Sequence, residues 1–239
     1  MNIYSQQNYA DSSKWKISYL VSGNYTYRTV NSNFKTEESY LRYGWTYTAD
    51  DQIPANGFHA SILISRKIVS KFYFQTGLFL DRKALKTNAF VDTVLEGSPF
   101  GGWSYVFYKR HLDFNFLSLG VPSFVNFSQR LCKKIFFEST IGICINFVQR
   151  VNVIYDGPNY SQDPYYTGGQ IKLWQYMLYG KLGLCYLYRP NSYLSVSPTF
   201  SYLLTPYEDG LTSDPKKRKL NLYSAGIEAG LHFYLGRKK

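Results

Sequence analysis

Histidine, cysteine and paired carboxylates are the usual raw material of an active site or metal centre, and this chain has few of the first two: three His and three Cys in 239 residues. His59, His111 and His232 could each carry a proton, but none stands beside a nucleophile elbow, the sharp turn that presents a hydrolase serine to its base. His111 and Asp113 come nearest to a base with an orienting carboxylate, and membrane-embedded hydrolases do place such groups in their outer loops. A bland pair at the end of a strand is the commoner use of such residues, so no catalytic residue is assigned. Cys132, Cys144 and Cys185 show neither CxxC spacing nor a histidine at zinc-finger distance, so no metal site is expected and no cofactor is implied. Cys144 in Gly-Ile-Cys-Ile and Cys185 in Gly-Leu-Cys-Tyr lie in strand interiors. They either meet across neighbouring strands as a disulfide or remain separate thiols, since pairing cannot be deduced from spacing.

A second set of chemically able residues is Lys16, Glu138, Lys181, Glu228 and His232. All five fall on the polar side of alternating segments. Buried charges in a narrow interior must pair or be hydrogen-bonded, because an isolated one costs several kcal/mol. The expectation is a salt-bridged plug; a gated pore or proton path is the functional alternative.

The elements that would hold them are strands. Apolar and polar residues alternate with period two over ten residues or more. From Tyr223, Ala225, Ile227, Ala229, Leu231, Phe233 and Leu235 make one face, and Ser224, Gly226, Glu228, Gly230, His232 and Tyr234 the other. Eight such runs occur, at about 15–29, 56–68, 71–86, 109–129, 134–152, 170–189, 192–205 and 219–235. Tight turns join runs two to three, four to five and six to seven, while the other connections are long and rich in Gly, Pro, Asn and Asp. An even strand count with short turns at one end and long loops at the other is how outer-membrane barrels are built. Pro122 and Pro198 lie inside strands, where the missing N–H predicts local bulges. The chain reads as one domain, 1–239, with 1–14 either disordered or the remnant of a signal peptide.

Period two alone does not say whether the greasy face points in or out. Its partner face decides: Gly77, Gly142, Gly183, Gly226 and Gly230 among Ser and Thr suit the cramped interior of an eight-stranded barrel and would make a poor water-facing surface. Aromatic residues, 19% of the chain, gather near the run ends at Trp15, Tyr25, Tyr27, Trp174, Tyr176, Tyr186, Tyr188, Tyr202 and Tyr207, as interfacial girdles do. No stretch has the roughly 18–20 uninterrupted apolar residues of a membrane-spanning helix. The fold expected is therefore all-β: a closed, eight-stranded, antiparallel up-and-down transmembrane barrel with short periplasmic turns and long extracellular loops, integral to the outer membrane.

The net charge of +11 reads either as a solvated basic surface or as attraction to outer-membrane lipid and lipopolysaccharide phosphates. Charges scattered between strands, with no recognition module, exclude nucleic acid as a partner. Tyr43, Trp45, Phe100 and Trp103 lie in two long connections that carry more aromatic area than solubility needs. Either these loops contact a partner, another envelope protein being expected, or strands continue beyond the membrane there and pair with each other.

The stretch Leu119-Gly120-Val121-Pro122-Ser123-Phe124-Val125-Asn126-Phe127, the basic turn from Arg130 to Lys134, and Phe136-Phe137-Glu138-Ser139-Thr140-Ile141-Gly142 resemble a strand, turn and strand of one family. That family is the small outer-membrane barrels of the PorT-like "outer membrane protein beta-barrel domain" group. Its first strand reads Leu-Glu-Ile-Pro-Leu-Leu-Leu-Lys-Tyr, and Gly120 stands here where the glutamate usually is. The resemblance covers about two strands and implies a membrane barrel whose relatives include secretion accessories and assembly subunits. The function expected is that of a non-catalytic structural or accessory subunit of an envelope assembly, a secretion or uptake complex. Alternatives are a narrow passive channel or small-ligand binder, and an outer-leaflet lipid-modifying or proteolytic enzyme.

Overall fold

Alternating runs rich in Tyr, Phe, Ile and Val favour strands, whose side chains point to opposite faces at successive residues. In the computed structural model, which describes residues 14–31, 52–87, 90–97, 101, 103–156, 174–205, 207–208 and 219–235, each run becomes one. The strands are β1 Trp15–Asn31, β2 Gln52–Val69, β3 Phe72–Thr87, β4 Phe90–Gly97, β5 Trp103–Arg130, β6 Ile135–Asp156, β7 Trp174–Arg189, β8 Ser192–Leu203, β9 Tyr207–Glu208 and β10 Lys219–Leu235. The segment 1–13 lies outside the described residues.

Eight of these strands, β1, β2, β3, β5, β6, β7, β8 and β10, pair in that order, and β10 pairs back onto β1 from Trp15↔Leu235 to Asn31↔Lys219. The sheet is closed and antiparallel throughout. Following hydrogen-bonded partners round from Lys16 leads through Ser65, Gln75, Phe124, Gly142, Tyr179, Ser201 and Ser224 back to β1 at Thr26, ten residues above the start. Eight strands with that stagger tilt by about 40° and leave an interior that side chains fill.

β2–β3 and β7–β8 close with the two-residue turns Ser70-Lys71 and Pro190-Asn191. The β5–β6 turn is held by Arg130, whose Nε donates to Cys132 O at 2.9 Å and whose terminal nitrogen donates to Lys133 O. The two prolines do not make bulges, contrary to expectation. Pro122 stays in register with Cys144 on β6, and Pro198 with Ile227 on β10. On the other side of each proline the ladder skips two residue pairs, between Thr76↔Ser123 and Phe79↔Gly120 and between Lys181↔Thr199 and Leu184↔Val196, with no change of register. The missing N–H is thus absorbed as a gap in one ladder. Within the barrel wall, register shifts occur instead at Leu117/Ser118 and Pro54/Phe58.

Odd-numbered residues of β10 face outward and even-numbered ones inward. Ile227 is 66% exposed while its neighbour Glu228 is 0% exposed. Val21, Ile62, Leu78, Val121, Ile141, Leu184 and Val196 extend the outer apolar surface round the wall. Trp15 and Tyr25, both outward on β1, are ten residues apart; at a tilt of about 40° that is a climb of about 25 Å, the height of the apolar band of a bacterial outer-membrane barrel. Tyr186 and Tyr188 share the lower girdle with Trp15, and Trp174, Tyr176 and the stacked pair Tyr27–Tyr223 share the upper one with Tyr25. Grease outside, charge inside and aromatic rims make this a transmembrane β-barrel, integral to an outer membrane.

Beyond the upper girdle, β4 pairs with the first residues of β5 from Phe90↔Arg110 to Gly97↔Trp103, and β5 continues beside β6 as far as His111↔Asp156. Trp103 therefore starts a strand, the second of the two alternatives the sequence left open for that connection. Tyr43, Trp45 and Phe100 lie outside the described residues.

Candidate functional site

The lumen holds the buried ionisable groups. The barrel's stagger sets their neighbours, since it brings residues far apart in sequence to the same height. Lys16 on β1 reaches across to β6 and β8: its Nζ lies 3.0 Å from Glu138 Oε1 and donates to Tyr193 OH at 2.6 Å, while Tyr193 OH donates to Glu138 Oε1 at 2.7 Å. His232 on β10 bridges Ser18 at 2.7 Å and Ser195 at 2.8 Å through its two ring nitrogens, and its ring stacks on Tyr193 at 4.2 Å.

About half a barrel higher, Glu228 on β10 accepts three hydrogen bonds: from Lys181 Nζ at 2.6 Å, from Tyr179 OH at 2.8 Å and from His59 Nε2 at 2.9 Å. Above these, Lys83 on β3 pairs with Asp81 at 3.2 Å and crosses the lumen to Ser201 at 2.9 Å and Ser224 at 2.7 Å. Each of the three lysines thus has its own carboxylate, and all six of these side chains are at most 6% exposed. Charges compensated one for one at three heights satisfy the condition under which buried ions are tolerated.

Sequence reasoning placed Lys16, Glu138, Lys181, Glu228 and His232 together. The structure distributes them over two levels, with His232 bound to serines. Reasoning missed that Asp81, Lys83, His59, Tyr179 and Tyr193 belong to the same network, though all have inward parity: Asp81 and Lys83 share a face of β3, and Tyr193 precedes the inward Ser195 and Ser197 by even steps.

The inner face is also less uniformly small and polar than the sequence suggests. Leu20, Leu63, Phe79, Phe124, Cys144, Met177, Tyr179, Leu203 and Leu222 form an apolar core beside and above the Glu228 level. Within it Phe124 stacks on Tyr179 at 5.0 Å, and Phe79 meets both edge-on. Phe136, Cys185, Leu187, Tyr193 and Tyr234 pack together at the short-turn end. Large rings fit because glycines face them: a Cβ on Gly142 would run into Ser123 O and stand 2.7 Å from Phe124 Cα. At Gly120 the space that a longer side chain would need holds the Asn146 amide and the Cys144 thiol, which donates to Asn146 Oδ1 at 3.0 Å.

Cys144 and Cys185 are free thiols. Register explains it: Cys144 opposes Met177 and Cys185 opposes Phe136, eight residues apart along the β6–β7 ladder. Cys132 is free and exposed in the β5–β6 turn. No group of three or more His, Cys, Asp or Glu side chains with metal-binding geometry occurs among the described residues. His111 and Asp113 lie high on β5, opposite Asp156 and Ile154, and their side chains are outside the described set. A cavity of about 190 Å³ opens at the short-turn mouth, lined by Lys71, Tyr73, Arg130, Phe136 and Tyr234 with Ser70, Ser128 and Gln129.

No family model and no curated protein matches the chain. Solved structures do resemble it. Neisserial surface protein A is 13% identical, with 92% of this chain and 97% of that chain covered and a TM-score of 0.49. The outer membrane protein OprG from Pseudomonas aeruginosa is 9% identical over 93% and 97%, with a TM-score of 0.41. Ail, the attachment invasion locus protein of Yersinia pestis, in complex with the heparin analogue sucrose octasulfate, is 11% identical over 92% and 99%, with a TM-score of 0.37.

Proposed function

We propose that this barrel is a non-catalytic anchor, a structural or accessory subunit of an envelope assembly for secretion or uptake, of the PorT-like kind. The observation that carries this reading is the filled lumen. Three compensated ion pairs fill it, with Lys16–Glu138 spanning it from β1 to β6 and Lys83 reaching across it to Ser201 and Ser224, and an aromatic and aliphatic core packs around the middle pair. A passage for solute would have to break these pairs, and uncoupling one member of a buried pair costs about 3–5 kcal/mol. Work is then left to the outer surfaces, where β4, β5 and β6 carry a paired sheet past the upper girdle. The Leu119–Phe127 strand and its basic turn support the PorT-like assignment. Other envelope proteins are the partners on this reading, contacted through the upper strands and the connections between them.

Two measurements test it together. Planar bilayers containing the purified chain should stay electrically silent, and mild-detergent extraction from native membranes should yield the barrel with stoichiometric envelope proteins. Discrete conductance steps, or a solitary monomer after mild extraction, would contradict it.

A further inference from the structure

The two ends of the barrel differ in the charged residues their described strands carry. In sequence, the strand segments reaching the upper end hold both signs, Asp113, Asp156 and Glu208 as well as Lys109, Arg110 and Lys219. At the short-turn end Lys14, Arg66, Lys71, Lys133, Lys134 and Arg189 are all exposed, and the only carboxylate among the described residues there is Glu138, buried in the lumen on Lys16. A rim of one sign repels itself unless counter-charges gather round it.

The placement of these cations indicates what gathers. Arg66 lies over the Trp15 ring at 5.5 Å, Lys134 over Tyr186 at 5.8 Å and Arg189 over Tyr188 at 5.7 Å. Those three rings face outward in the lower girdle, where interfacial aromatics sit at headgroup depth. The cations are thereby held against the bilayer surface, level with lipid phosphates. They come from the β1 entry, β2 and all three short turns, so they surround the barrel. A protein ligand would cover one arc of such a ring; a small, mobile, abundant anion can occupy all of it.

We infer that the short-turn rim is a collar that binds anionic glycerophospholipids, taking the phosphodiester of phosphatidylglycerol or cardiolipin as its ligand. It holds the barrel at a fixed depth through the phospholipid leaflet on the periplasmic side. This depends on the transmembrane barrel and its orientation, and is independent of the proposed assembly role.

The test is spin-label selectivity. The full chain, reconstituted in phosphatidylcholine, receives trace spin-labelled phosphatidylglycerol or phosphatidylcholine, and the motionally restricted fraction of each is measured. The collar should favour phosphatidylglycerol about fivefold, the equivalent of about 1 kcal/mol for a cation beside an anionic headgroup. The preference should shrink in high salt. The variant Arg66→Gln/Lys133→Gln/Lys134→Gln/Arg189→Gln, which leaves Lys14 and Lys71, should lose most of the preference while keeping the heat-sensitive gel mobility of a closed barrel. Arg189→Gln alone, a change at an exposed turn, should lower the preference by a fraction and keeps the test decisive if the quadruple variant fails to fold. Equal restriction of both lipids by the native chain would overturn the collar, as would a preference that the quadruple change leaves undiminished. Stronger restriction of spin-labelled lipid A, lost in that variant, would overturn the assignment to the phospholipid leaflet.

Discussion

Glu228 is where the lumen can be perturbed most cleanly. Replacing it by Gln keeps the volume and removes the charge, which leaves Lys181 at 6% exposure with no carboxylate and takes the anionic acceptor from Tyr179 and His59. Removing one partner of a buried ion pair costs about 3–5 kcal/mol, chiefly because the other charge stays buried and unpaired. Since that is the origin of the loss, Lys181→Met added to Glu228→Gln should recover most of it, leaving a deficit of about 1–2 kcal/mol for the hydroxyl and imidazole contacts. The assay is urea-dependent folding into lipid vesicles, read by tryptophan fluorescence and gel mobility, for the native chain, both single variants and the double. Adding Lys181→Met should then recover about 2–3 kcal/mol of the Glu228→Gln loss, so the two changes are far from additive. Additive losses, or a Glu228→Gln cost below about 1 kcal/mol, would refute the claim that the ion pair is compensated within the lumen.

Two other outcomes follow from the same packing. Gly142→Val should destabilise the barrel by about 3 kcal/mol in the vesicle assay, because the new side chain meets Ser123 O and the Phe124 backbone and neither wall can retreat; a neutral effect would mean that Phe124 has room to move. In the folded barrel a maleimide should label Cys132 alone, with Cys144 and Cys185 reacting only after unfolding. Three thiols titratable in reducing-agent-free denaturant would show that no disulfide links them.

How much of this was legible beforehand depends on the range of the interaction. Strand existence and facing are local properties written in period two, so β8, whose inward Ser195, Ser197 and Ser201 alternate with Leu194, Val196 and Phe200, was readable residue by residue. Neighbours across the lumen are not local. Lys16 and Glu138 are 122 residues apart, and only the ten-residue stagger of the closed sheet sets them at one height. For the same reason Cys144 and Cys185 could not be placed: both have inward parity, but parity says nothing of position along a strand. The apolar core around Phe79, Phe124 and Tyr179 was hidden by an averaging habit, in which a face rich in Gly and Ser reads as small throughout. Those glycines are small so that the rings beside them can be large. Trp103 could be read as loop or as extended strand, because a strand that outruns the membrane keeps its pairing while losing the pattern that the bilayer imposes.

The orientation of the wall underlies every step, and β10 tests it directly. In a Cys132→Ser/Cys144→Ser/Cys185→Ser background, single cysteines at Ile227, Glu228, Ala229, Gly230, Leu231 and His232 would be tagged in denaturant with an environment-sensitive fluorophore. After folding into vesicles whose acyl chains carry bromine quenchers, the account predicts strong quenching at 227, 229 and 231 and weak quenching at 228, 230 and 232. Quenching with the opposite alternation, or equal at all six positions, would contradict it.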